Sequence, residues 1–191
     1  MRVLIVGSGG REHALAWKLA RSPGVERLLA APGSDAIATL AHCHAEVGAE
    51  DVPAQVALAR RERVDLVVVG PEAPLAAGLV DRLREAGIAA FGPTAAAARL
   101  ESSKAFAKRF MERHGIPTAP FAVFDELEAA RRHVRALAGP CVVKADGLAA
   151  GKGVAVCDGP PEAERALREA MAERRFGAAG ACVVIEERLE G

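Results

Sequence analysis

Short apolar runs alternate with helix-periodic stretches through the first half of the chain. Arg2-Val3-Leu4-Ile5-Val6 is a largely apolar run ending at Gly7, the pattern of a parallel strand covered on both faces. A helical pattern follows from about Glu12 to Arg21, and Pro23-Gly24 stops it. Arg27-Leu28-Leu29-Ala30 predicts a second strand, broken by Pro32-Gly33. A helix near Pro53 to Arg63 precedes a third strand, Asp65-Leu66-Val67-Val68-Val69, closed by Gly70-Pro71. A helix over about Leu75 to Glu85 ends at Gly87, and Ile88-Ala89-Ala90-Phe91 is a fourth strand. Strands and helices at this spacing predict an α/β fold, a Rossmann-like doubly wound parallel sheet. Its ligands belong at the strand C-termini, which carry Gly7-Ser8-Gly9-Gly10, Ala31-Pro32-Gly33, Gly70-Pro71-Glu72 and Gly92-Pro93-Thr94.

The pattern changes near residue 94. Two helical stretches, Ala95 to Glu101 and Ser103 to His114, end at Gly115-Ile116-Pro117. Strand (Phe121 to Phe124), helix (Glu126 to Leu137), strand (Cys141 to Lys144), strand (Val154 to Cys157), helix (Pro161 to Ala172) and strand (Cys182 to Glu186) follow. This second half reads as a small α+β unit built from adjacent strands. An apolar strand lies directly before the final Glu190-Gly191, so the chain is expected to be the N-terminal portion of a longer protein.

Hydrophobic residues make up 51% of the chain but aromatics only 4%, so the core must be aliphatic. The 25 acidic and 25 basic residues cancel, with no basic stripe, which argues against nucleic acid as a partner. No run is long enough for a membrane span, and the N-terminus enters a strand pattern instead of a signal peptide, so a cytoplasmic protein is expected. Cys43, Cys141, Cys157 and Cys182 are widely spaced and read as reduced, buried thiols.

The strongest chemical signal is Lys144-Ala-Asp-Gly147-Leu-Ala-Ala-Gly151-Lys152-Gly153-Val154, a glycine-rich turn between two strands. Its glycines let the backbone curve tightly and bring N–H groups close to an anion. Five of the 25 basic residues are lysines, and two of them stand in this loop. A Walker A loop is excluded, because Gly147 and Gly151 are one residue too close and Gly153 replaces the Ser/Thr that would hold magnesium. The stretch reads as a phosphate lid, with a plain glycine-rich hairpin as the alternative.

Other candidates are weaker singly. Gly7-Ser8-Gly9-Gly10-Arg11-Glu12 fails the dinucleotide fingerprint at its third glycine, where Glu12 stands. A smaller phosphorylated ligand fits, since helix N-terminal amides and Arg11 favour an anion. Glu72 suits sugar hydroxyls, or is simply an acid at a helix start. Lys104 begins a helix, an awkward place for a cation unless an anion is held nearby; otherwise it is a surface lysine. Val183 to Leu189 reads as a hinge pairing with a nucleotide base, or as a plain core strand. His42-Cys43-His44 offers three potential metal ligands, but alternation points Cys43 away from the histidines and no fourth ligand is suitably spaced.

Taken in order, these motifs resemble the glycinamide ribonucleotide synthetase (phosphoribosylamine–glycine ligase) family of ATP-grasp ligases. The matching segments are Val6 to Ala14, Ala31-Pro32-Gly33, Val69 to Leu75, Phe91 to Thr94, Ser103 to Phe106, Lys144 to Val154 and Ile185-Glu186-Glu187. The resemblance implies a Rossmann-like substrate domain over residues 1–100, connecting helices over 101–120, and the first lobe of an ATP-grasp domain over 121–191. It implies ATP with Mg2+ or Mn2+, and glycine and 5-phosphoribosylamine as the other substrates. Lys104 and Lys144 would be catalytic contacts to ATP, with Gly147, Gly151, Lys152, Gly153, Glu186, Glu187 and Leu189 completing that site. Gly9, Gly10, Arg11 and Glu72 would hold the phosphoribosyl group. Metal and glycine ligands are expected beyond residue 191, so this chain alone is not expected to run the full reaction. Departures are Ser8 for a common Asn, Ser34-Asp35 after Gly33 where the family usually has Asn directly, and Arg188 for a common Phe. The alternatives are another ATP-grasp ligase with a different acceptor, a nicotinamide-binding Rossmann module, or a non-catalytic piece.

Overall fold

A computed structural model describes residues 1–149 and 151–190. The chain divides into two compact units, Met1–Ala98 and Arg99–Gly191.

The first unit is built on five parallel strands, β1 (Arg2–Gly7), β2 (Arg27–Pro32), β3 (His42–Cys43), β4 (Leu66–Val69) and β5 (Ala89–Phe91), in the order β3-β2-β1-β4-β5. Five helices connect or follow them: α1 (Gly10–Leu19), α2 (Asp35–Ala38), α3 (Val52–Arg61), α4 (Glu72–Ala76) and α5 (Leu79–Glu85). The strands read as continuous apolar runs because both faces are covered. Leu4, Val6, Val67 and Val69 pack on one face with Leu58, Leu79 and Leu83, while Val3, Ile5 and Val68 pack on the other with Ala16 and Ile37.

Two details depart from expectation. The helix expected from Leu75 to Glu85 starts earlier, at Glu72, and breaks where Gly78 takes the left-handed conformation (φ +84°). Glu72 is therefore the first residue of α4, an acid at a helix start. His42–Cys43 forms a short fifth strand, with Leu29 opposite His42 and Ala30 opposite Cys43. Its two residues are too few for an alternation signal.

α6 (Ala95–Ser102) spans the division between the units. The second unit contains α7 (Lys104–Arg113), β6 (Phe121–Phe124), α8 (Leu127–Leu137), β7 (Cys141–Ala145), β8 (Val154–Cys157), α9 (Pro160–Leu167) and β9 (Val183–Glu187). The expected helix over 161–172 does not stay α-helical: a π-helical turn, Arg168–Ala172, follows α9, and a short 3-10 segment, Gly177–Ala181, leads into β9. The sheet is antiparallel in the order β6-β9-β7-β8. Adjacent strands were expected, but only β7 and β8 pair with a sequence neighbour. β9, last in the chain, inserts between β6 and β7.

Alternation then sorts this sheet into two faces. Cys141, Val143, Cys157, Val183 and Ile185 pack with Ala130 and Val134 of α8 and Ala163 and Leu167 of α9. Register places Val142, Lys144, Val184 and Glu186 on the opposite face, where Val154 and Val156 are 47% and 61% exposed.

Candidate functional site

The glycine-rich loop joins β7 to β8, closed at its base by the Ala145 amide on the Gly153 carbonyl (2.8 Å) and within by the Lys152 amide on the Ala149 carbonyl (2.9 Å). Its glycines serve different ends. A Cβ on Gly147 would stand 2.7 Å from the Cβ of Ala179, and one on Gly153 would stand 2.7 Å from that of Ala149. Gly151 has open space around it but adopts φ +76°, which only glycine takes without strain. The structure therefore gives each glycine a local reason, close packing for two and conformation for one. Ala150 lies outside the described residues.

Around the loop base the sheet collects charge. Nζ of Lys144 lies 2.7 Å from Oε1 of Glu186, and Nζ of Lys108 lies 3.0 Å from Oε2 of the same carboxylate. Glu186 and Lys108 are buried, whereas the Lys144 side chain is 26% exposed. Lys108 also donates to Oγ1 of Thr118 (2.6 Å) and to the Ala119 carbonyl (3.3 Å). Glu186, expected to help hold a base or nucleoside, thus has both carboxylate oxygens on lysines, and its backbone stands inside the sheet, opposite Phe121 on β6 and Val142 on β7.

Lys104 donates through Nζ to the Gly147 carbonyl (3.0 Å) and through its backbone amide to the Asp146 carbonyl (3.1 Å). The anion that excuses a cation at this helix start is built in. Asp146 accepts from the Ala105 amide at 2.6 Å and from Oγ of Ser103 at 3.1 Å, while Ser103 caps α7 by accepting from the Phe106 amide at 3.1 Å. One carboxylate therefore ties the start of α7 to the glycine-rich loop. Asp146, Ser103 and Ala105 also border a cavity of about 600 Å³, whose wall includes Arg99, Arg109 and Arg113.

The remaining residues expected here are peripheral. Lys152 is exposed and lines a cavity of about 190 Å³ with Gly153 and Phe176. Glu187 is exposed and its amide donates to the Pro120 carbonyl (3.0 Å). Leu189 is 66% exposed, and Arg188 pairs with Asp158.

In the first unit, α1 starts directly beyond β1. Glu12 is not a surface acid there but is buried, and its Oε2 accepts from the Gly9 amide at 2.7 Å. Two strand ends make room for it. A Cβ on Gly70 would lie 2.0 Å from Oε1 of Glu12, and one on Gly7 would lie 2.8 Å from its Cγ. The Gly9 amide is thus engaged by Glu12, and the amides of Gly10, Arg11 and Glu12 precede the first intrahelical bond, His13 to the Gly9 carbonyl (3.0 Å). Arg11 donates through Nη1 to the Gly70 carbonyl (2.5 Å) and through Nη2 to Oε1 of Glu72 (3.1 Å). Glu72 is held below the usual carboxylate range, first by a backbone hydrogen bond at its own position and then by the Arg11 guanidinium. Arg11 and Glu72, 61 residues apart, are therefore brought together at the ends of β1 and β4.

His42 and His44 do share a side, with ring centroids 4.8 Å apart, but His44 Nδ1 faces Glu46 at 3.0 Å. Among the described residues no group of three or more His, Cys, Asp or Glu is placed to hold a metal ion. No described helix is long and apolar enough to cross a membrane.

Sequence reasoning missed Lys108, Asp146 and the capping role of Glu12. Lys108 stands four residues from Lys104, on the same side of a helix, and that spacing was the available signal. Asp146 lies inside the glycine-rich motif, but nothing local reveals that its partners are more than forty residues away.

Known proteins match both units. Residues 1–101 match the family model for the N domain of phosphoribosylglycinamide synthetase, and residues 102–191 match the model for its ATP-grasp (A) domain. The chain is 56% identical over 192 aligned positions to phosphoribosylamine–glycine ligase of Xanthomonas campestris pv. campestris, covering 100% of this chain and 44% of that protein. The crystal structure of phosphoribosylamine–glycine ligase from Thermotoga maritima superposes with a TM-score of 0.80 at 34% identity, over 100% of this chain and 44% of that one. A biotin carboxylase–β,γ-ATP complex from Campylobacter jejuni reaches 0.76 at 20% identity, over 99% of this chain and 45% of that one, a likeness of fold alone. The chain thus spans less than half the length of these relatives. Because the two halves match, in order, two domains of one enzyme family, the chain belongs to the phosphoribosylglycinamide synthetase family.

Proposed function

We propose that this chain is the N-terminal part of a cytoplasmic ligase that uses ATP to join glycine to 5-phosphoribosylamine, giving glycinamide ribonucleotide, ADP and phosphate. The observation that carries the reading is Lys144, a partly exposed ammonium fixed by a buried carboxylate at the base of a glycine-rich loop. A carboxylate is a poor electrophile because it is already charged and its oxygen leaves badly. ATP converts the glycine carboxylate to glycyl phosphate, and the ribosylamine nitrogen then displaces phosphate. No protein nucleophile is needed; the protein positions the reactants and neutralises charge on the transferring phosphoryl group.

In this reading Lys144 and Lys104 contact the ATP phosphates. The loop from Gly147 to Gly153, with Lys152, closes over them and shields the acyl phosphate from water. The exposed apolar positions Val154, Val156 and Leu189 offer surface for the base, with the Glu187 carbonyl, opposite a proline that has no N–H to give it, and the backbone of Leu189 as its hydrogen-bond partners, while Glu186 acts through its carboxylate on Lys144. In the first unit, the amides of Gly10 and Arg11 take the ribosyl phosphate. Gly9 contributes by admitting the Glu12 carboxylate, and Glu72 accepts from the ribose hydroxyls. Mg2+ or Mn2+ would be held by the longer protein, and no step is assigned to it in this chain.

The test is an amide-resolved NMR titration. ATP at millimolar concentration should shift Gly147, Gly151 and Gly153, and ribose 5-phosphate should shift Gly10 and Arg11. A response to ATP with none to ribose 5-phosphate would move the reading to an ATP-grasp ligase with a different acceptor. NAD(H) binding without any ATP response would overturn both.

A further inference from the structure

Resting on the ATP reading above, we propose that Lys108 is a positioning residue that sets the charge of the phosphate site without touching the nucleotide. Lys144 and Glu186 alone make a neutral pair, and a lysine so paired has little net charge left for a phosphate. The structure adds a second ammonium. Glu186 gives Oε1 to Lys144 (2.7 Å) and Oε2 to Lys108 (3.0 Å), so the cluster holds two cations and one anion. The excess positive charge belongs at Lys144, the only member of the three that reaches solvent to a useful degree: its side chain is 26% exposed, against 9% for Lys108 and 7% for Glu186.

The donor inventory separates the two lysines in the same way. An ammonium has three hydrogens. Lys108 directs them at Glu186, Oγ1 of Thr118 and the carbonyl of Ala119, with Phe121 set 5.6 Å from its Nζ. It has no donor to offer a ligand. Lys144 has one acceptor among the described residues, Glu186, and retains donors for phosphate oxygens. Lys108 thus cancels the carboxylate that fixes Lys144 in place, and Lys144 is both held and left charged.

Burying Lys108 is costly, and a buried ion pair is often no more stabilising than an apolar replacement of the same volume. Stability alone is therefore a weak reason for a buried lysine here. Electrostatic control of the neighbouring ammonium accounts for it.

The experiment measures binding of ATP and of adenosine to the 191-residue chain and its variants, each checked for fold by far-UV circular dichroism. Lys108→Met should weaken ATP by about tenfold or more, the order expected for one charge acting at short range in a partly screened site, and leave adenosine unchanged. Lys108→Gln, which keeps a donor for Thr118 but carries no charge, should behave alike and serves if the methionine variant does not fold. The decisive variant is Lys108→Met combined with Glu186→Gln. It restores one net positive charge and should recover most of the lost ATP affinity. A merely structural lysine predicts that the double variant binds as poorly as the single or worse. If the parent binds ATP and the uncharged single variants bind it equally well, or if the double variant shows no recovery, the role of Lys108 is refuted while the ATP reading stands. A parent that shows no ATP binding at millimolar concentration removes both.

Discussion

Asp146→Ala tests how the glycine-rich loop is tied to α7. The substitution removes the acceptor of the Ala105 amide (2.6 Å) and of the Ser103 hydroxyl (3.1 Å). It leaves a first-turn N–H without its anion, next to the positive charge of Lys104. One hydrogen bond to a charged group contributes about 1.5–3 kcal/mol, and an anion at a helix N-terminus adds about 0.3–1 kcal/mol. The expected loss is about 2–4 kcal/mol. Asp146→Asn keeps an oxygen acceptor without the charge and should cost roughly half as much. The backbone contacts of Asp146, its amide to the carbonyls of Ala179 and Cys182 (3.0 Å each), survive both changes, so the effect isolates the side chain. Urea unfolding followed by far-UV circular dichroism gives the magnitude, and hydrogen exchange at the Ala105 amide gives the location. An Asp146→Ala chain within about 0.5 kcal/mol of the parent, with Ala105 equally protected, would show that the carboxylate does not hold this helix start.

Further perturbations probe the other contacts. Lys144→Ala should weaken ATP by about 1.5–3 kcal/mol, roughly ten- to a hundredfold; calorimetry showing unchanged affinity removes Lys144 from the site. Gly70→Ala puts a methyl 2.0 Å from Oε1 of Glu12 and should expel that carboxylate from its seat, releasing the Gly9 amide. A stability loss of about 1–3 kcal/mol with faster exchange at Gly9 is expected, and an unperturbed Gly9 resonance would refute it. Burial pushes the Cys157 thiol from an ordinary 9.0 up to about 11, with Cys141 opposite it adding to the rise. The fold therefore favours the protonated thiol. That contribution, about 2–3 kcal/mol, is fully present below pH 9 and lost as pH rises through 11. Cys157→Ala should flatten the pH dependence of unfolding between those values, and an unchanged slope would contradict the assignment.

Period and punctuation made much of this molecule legible from its residues. Continuous apolar runs ending in glycine marked the β1 and β4 strands of a parallel sheet because such strands are buried on both faces. The glycine-rich loop was visible because tight curvature and close backbone packing admit few other residues, and Gly151 and Gly147 each show one of those needs. Strand order was not legible. Alternation fixes which face a side chain takes but not which strand lies beside it, so the insertion of β9 between β6 and β7 had no local signature. That insertion brings Glu186 beside Lys144 and under Lys108. Glu12 shows the same limit from the other side. Its charge spoiled a dinucleotide fingerprint in the sequence, and only the fold supplied the reason it is there: two glycines, 63 residues apart, leave a space that its carboxylate fills while capping its own helix. Local backbone preference is written residue by residue, whereas the pairing of distant charges depends on which segments the packed core brings together.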